Sequence, residues 1–117
     1  MSAMHPDLPH GAGLIMISLE YYTWFINRHV CDERFIRMAK ALGREDAAKP
    51  MDFVEALLEL QKACKVDELK MSDYGIKPEE FPEMARKAKD TMGGLYAADR
   101  TELSVEETIG IYQRSFR

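Results

Sequence analysis

Apolar side chains recur along this chain at three- and four-residue spacing, the mark of helices with one face turned inward, and no useful stretch shows the two-residue alternation of a half-buried strand. The first run, Leu14-Ile15-Met16-Ile17-Ser18-Leu19-Glu20-Tyr21-Tyr22-Thr23-Trp24-Phe25-Ile26, is apolar on most faces and predicts a helix surrounded by others, from about Gly11 to Arg28. The most apolar part, Gly13 to Ile26, is shorter than the ~20 residues a membrane span requires, and Glu20 interrupts it, so a buried helix is expected.

Asp32 is expected to cap a second helix carrying Phe35, Ile36, Ala39 and Leu42, with Gly43 free to take the left-handed conformation that stops it. Pro50 suits the first position of a third, whose inward face is Phe53, Val54, Leu57, Leu58, Gln61 and Cys64. Val66 to Lys77 reads as a loop with one helical turn, because Ser72-Asp73-Tyr74-Gly75 favours turns. Pro78-Glu79-Glu80 then opens a fourth helix, with Pro82 close to its first turn and Phe81, Met84, Ala85, Ala88 and Met92 as its buried stripe, and Gly93-Gly94 is expected to end it. Ser104-Val105-Glu106-Glu107 matches a capping box ahead of Thr108, Ile109, Ile111, Tyr112 and Phe116. The expected fold is all-α, an irregular bundle of about five helices forming one domain over residues 1–117.

Composition narrows the partners. A net charge of −4 with basic and acidic residues interleaved offers no patch that would displace counterions from a nucleic acid. The two cysteines, Cys31 and Cys64, read as reduced structural thiols, which points to the cytoplasm. No basic start followed by an apolar run marks a signal peptide, and no membrane partner is expected.

Little of the chain looks chemically loaded. Two of its three histidines lie in the stiff string His5-Pro6-Asp7-Leu8-Pro9-His10-Gly11, which feeds directly into the first helix. A neutral imidazole at such a helix start can ligate a metal, but histidine there is also commonly a solvated or capping residue, and a stable site takes three or four ligands. His29, near the end of the first helix, reads as a cation complementing the helix dipole. Tyr21, Tyr22, Trp24 and Phe25 could line a pocket, yet read more simply as core. Arg86, Lys87 and Lys89, with Glu79, Glu80 and Glu83 a turn or two earlier, read as a solvated face with ion pairs. No glycine-rich turn follows a strand, so nothing here cradles a dinucleotide.

Leu8-Pro9-His10-Gly11 followed by Gly13-Leu14-Ile15-Met16 resembles the Pro-His-Gly segment of the iron-containing (group III) alcohol dehydrogenases. The stretches Ile76-Lys77-Pro78-Glu79-Glu80-Phe81-Pro82-Glu83-Met84-Ala85 and Leu103-Ser104-Val105-Glu106-Glu107-Thr108-Ile109 resemble that family's closing helices, in the family order. The resemblance implies the carboxy-terminal helical part of a two-domain enzyme, whose other domain holds NAD(P) and whose cleft holds ferrous iron, or zinc, on one aspartate and three histidines. It assigns His10 as one metal ligand and places His5 near the cleft as a candidate catalytic residue. Met1-Ser2-Ala3-Met4 resembles the end of the helix that carries the preceding histidine ligand, which would fall before Met1.

The implied reaction of the intact enzyme interconverts a small alcohol and an aldehyde or ketone, and the chain alone is expected to be inactive, as a truncation or one half of a split enzyme. A severed domain should expose an apolar face around Met1 to Ile17, at Met1, Met4, Leu8, Leu14 and Ile15, covered by the missing domain or by self-association. Two alternatives stand beside it. One is a helical interaction module that kept the fold and lost catalysis; the other is a small metalloprotein built on His5, Asp7 and His10, within one chain or across a dimer axis.

Overall fold

The computed structural model describes all 117 residues and contains five α-helices and no strand: α1 His10–Asn27, α2 Asp32–Ala41, α3 Met51–Ala63, α4 Phe81–Ala98 and α5 Val105–Ser115. Two short 3₁₀ turns, Met71–Tyr74 and Pro78–Glu80, lie between α3 and α4. The first is the expected turn of the 66–77 loop, closed by Gly75 at φ +73°. Helix α1 packs on α3 and α5, α2 on α3, and α4 on α5.

The buried side chains fall into two clusters, and α1 contributes to both. Trp24, Phe25 and Ile26 meet Phe35, Ala39, Phe53, Leu103 and Ile111 in one. In the other, Met16 meets Leu8, Met71, Ile76, Phe81, Met84, Ala85 and Tyr112. A helix touched on both sides needs apolar residues around much of its circumference, which is why the first run shows so little polar face. Trp24 and Phe25 are buried core, and Tyr21 and Tyr22 are half-buried against the same cluster. Gln61 is buried by donating to the Ser18 hydroxyl across the α1–α3 contact, at 3.0 Å.

The expected caps hold at Ser104 and shift elsewhere. The Glu107 N–H donates to Ser104 Oγ at 3.1 Å, and the Ser104 N–H donates to Glu107 Oε2 at 2.8 Å, a complete capping box. Asp32 is not the cap of α2 but its first residue. Cys31 precedes it in the left-handed region at φ 65°, and Asp32 Oδ2 lies 3.0 Å from His29 Nδ1. Pro50 stands just outside α3, and Asp52 ties that entry down by accepting from the Ala48 and Lys49 N–H groups at 2.8 and 2.9 Å.

Gly93-Gly94 does not end the fourth helix. The chain bends at Met92, with φ −119° and ψ 26°, and then continues helically to Ala98. Neither glycine takes a positive φ. Tyr96 packs on the first cluster beyond the bend, and that burial keeps a helical turn that two glycines would disfavour on propensity.

Candidate functional site

Residues Met1 to His5 make one helical-type turn, with the Met4 and His5 N–H groups both donating to the Met1 carbonyl. Pro6 then starts a tight turn in which the Leu8 N–H donates to the His5 carbonyl at 3.0 Å, and Pro9, extended at φ −60° and ψ 138°, delivers His10 as the first residue of α1. Leu8, 2% exposed, is driven into the second cluster and acts as the anchor of this loop. Its position corrects one expectation, since Leu8 belongs to the core and not to an exposed apolar face.

The Met1–Met4 turn, the first turns of α1 and the middle of α4 line a groove of about 530 Å³. Its wall is mainly apolar: Met1, Met4, Leu14, Ile17, Met84 and Met92 supply most of it, with His10, Lys87 and Tyr112 among the polar members. Leu14 and Met92 are each 52% exposed, so the apolar face expected around Met1 to Ile17 exists, extended by α4. Lys87 pairs with Glu83 at 2.9 Å, as the charge pattern suggested, whereas Lys89 turns to Glu102 and the Leu103 carbonyl.

The three histidines have different surroundings. The Nε2 of His5 lies 2.9 Å from Glu80 Oε1, and because a carboxylate only accepts, the ring donates through that nitrogen. His29 is exposed, adopts φ 55° and pairs with Asp32. His10, at the mouth of the groove, is exposed and has no carboxylate partner of this kind. No acidic side chain lies in the first turn of α1 and no side chain caps it, so the positive end of the helix dipole there has no side-chain partner. Burial pushes the Tyr112 hydroxyl up to about 12, and it stays protonated through neutral pH.

Glu80 is the residue that sequence reasoning missed. It lies 75 positions from His5, and no local pattern links the two. Its second oxygen accepts from the Lys77 N–H at 2.7 Å. That backbone bond, with the His5 ring adding to it, holds the Glu80 carboxyl below the usual glutamate range. His5 is absent from the groove wall, and no three His, Cys, Asp or Glu side chains converge anywhere in the chain in a way that would hold a metal ion. His5, Asp7 and His10 therefore do not converge on a metal site within one chain. A single free imidazole at an apolar groove fits one ligand of a larger set.

Residues 3–116 match the model of the Fe-containing alcohol dehydrogenase family, C-terminal. This chain belongs to that family. A crystal structure of an archaeal halo-thermophilic alcohol dehydrogenase from a Red Sea brine pool, bound to NZQ, superposes with a TM-score of 0.84 at 30% identity, over 98% of this chain and 30% of that one. A histidine-to-alanine mutant of the same brine-pool enzyme superposes equally well, at the same identity and coverage. No curated protein matches. The chain thus spans less than one third of the length of the dehydrogenase it resembles, and corresponds to the family's carboxy-terminal helical domain. The family's description names iron and not zinc. No helix is long and apolar enough to cross a membrane.

Proposed function

We propose that residues 1–117 act as the helical, metal-facing domain of an NAD(P)-dependent, iron-dependent alcohol dehydrogenase that interconverts small alcohols with aldehydes or ketones. The observation that carries this reading is the apolar groove with an unpartnered His10 at its mouth. The rest of such an enzyme, its nucleotide-binding domain together with the helix that carries the preceding histidine ligand, would cover Leu14 and Met92 and supply the remaining ligands. Self-association through the same face is the alternative cover. An interaction module matured for life as a monomer would have a polar face there, so the exposed apolar side chains favour the dehydrogenase reading.

In this reading His10 would hold the iron through one imidazole nitrogen, and the uncapped start of α1 would favour negative charge near it. Bound iron would supply Lewis-acid polarisation of that oxygen, and NAD(P) would accept the hydride. His5 serves as a positioning residue: its bond to Glu80 fixes the loop that presents His10 to the entry of α4. The apolar wall excludes water from the reacting centre. Two free cysteines suit a reducing, cytoplasmic setting.

The test is calorimetric titration of the metal-free chain with anaerobic ferrous iron and with zinc, beside His10→Ala. The chain alone should bind neither stoichiometrically and should not oxidise simple alcohols with NAD(P) and iron. Iron binding should appear once the missing part of a family enzyme, nucleotide-binding domain and upstream ligand-bearing helix together, is supplied in trans, and should vanish with His10→Ala. Stoichiometric binding by the chain alone that disappears in the variant would replace this reading with a self-contained metalloprotein.

A further inference from the structure

A second concavity lies toward the other end of α1, where Tyr21 sits about 16 Å along the helix from His10 at 1.5 Å per residue. It is a dish of about 150 Å³ between the late turns of α1, the start of α2 and the segment after α4. Tyr21, Tyr22, Phe25 and Phe35 are among its lining residues, their rings packed at centroid separations of 5.1 to 6.0 Å in tilted and edge-to-face pairs. Those contacts fix the shape of the dish before anything enters it.

Arg34 and Arg100 are among the residues that line it. Neither has an ion-pair partner in the chain, whereas Arg28, Arg44 and Arg114 each hold a glutamate. The carboxylate in the wall, Asp99, is already engaged. The Tyr21 hydroxyl donates to one of its oxygens and the Arg100 N–H to the other, at 2.8 Å for the latter. Two arginines against one aspartate give the set of lining residues a net positive charge.

We propose that this dish binds a small aromatic carboxylate, its ring seated among the four aromatic side chains and its carboxylate bridged by Arg34 and Arg100. A cavity of about this size takes one benzene-sized group. Aromatic walls favour a ring edge or face, and the planar guanidinium fork matches a carboxylate. A cationic ligand would meet the two arginines, and an inorganic anion would leave the aromatic wall unfilled.

The experiment is a nitrogen-15 NMR titration of the full chain with benzoate and, separately, with benzyl alcohol, a neutral ligand of similar size. Benzoate should produce saturable shifts at the Val30, Arg34 and Arg100 amides, with a dissociation constant on the order of 1 mM for so few atoms. Benzyl alcohol should bind there about tenfold more weakly, lacking the charge-assisted bonds. Arg34→Gln with Arg100→Gln should weaken benzoate by about tenfold and leave benzyl alcohol unchanged; both arginines are exposed, so the fold should tolerate the change. Cys31 lies in the wall and Cys64 does not, and both are free thiols. Saturating benzoate should therefore slow alkylation of Cys31 and not of Cys64. Equal affinity for the two ligands, an unchanged benzoate affinity in the double variant, or shifts confined to the groove around His10 would each overturn the proposal.

Discussion

Leu8→Ala separates the residue that holds the loop from the residue that does chemistry on it. Leu8 is 2% exposed and packs in the cluster built by Met16, Met71, Ile76 and Phe81, while His10, two positions on, is exposed. Truncation removes three buried carbons, worth about 2.4 kcal/mol at ~0.8 kcal/mol each, and leaves a cavity that the surroundings refill only in part. The loop is short and clamped by Pro6 and Pro9, so a loss of about 3 kcal/mol is expected, within the usual range for buried leucine. At ~2.1 cal/mol/K of unfolding entropy per residue, 117 residues give roughly 250 cal/mol/K, so each kcal/mol lowers Tm by about 4 °C. Leu8→Ala should then melt about 12 °C below the parent in a thermal scan followed by circular dichroism. His10→Ala, at an exposed position, should stay within about 2 °C of the parent. A Leu8→Ala shift below about 4 °C, or a His10→Ala shift as large as that of Leu8→Ala, would show that the loop is not anchored as described.

Three further outcomes follow from the same geometry. Gly93→Ala and Gly94→Ala should each stabilise by about 0.5–1 kcal/mol in urea denaturation, since a Cβ meets nothing within 4 Å and neither φ is positive; a loss would mean the helix stops there after all. Ser104→Ala should cost about 1 kcal/mol by removing the Glu107 N–H acceptor, and a neutral result would deny the capping box an energetic role. Glu80 has its carboxyl held low by the Lys77 N–H and then by His5, so its charged form favours the fold. That contribution is complete above the ordinary value of 4.5 and is lost as the pH falls through the depressed one. Glu80→Gln should therefore flatten the acid side of the stability profile below about pH 5, and a profile parallel to the parent's would refute the linkage.

Periodicity alone located five helices, because each must bury one stripe of side chains whatever its neighbours are. The Ser104 capping box and the left-handed stop at Gly43, φ +99°, were legible for the same reason: they are satisfied by residues within one turn. The string around His10, with its prolines, was also a local signal, and the chain's resemblance to the Fe-containing alcohol dehydrogenases was visible without coordinates.

What needed the tertiary structure was every decision made by residues far apart in sequence. Leu8 looked like part of a sticky edge until Met71, Ile76 and Phe81 closed over it. Gly93-Gly94 looked like a helix end until the packing of Tyr96 against the first cluster carried the helix past it. His5 looked like a groove residue until Glu80, 75 positions away, claimed its ring. A one-dimensional pattern records which side chains must leave water, and so determines the helices of this domain. Which of them meet, and hence where a groove opens and which histidine is left free at its mouth, depends on contacts whose partners only the folded chain brings together.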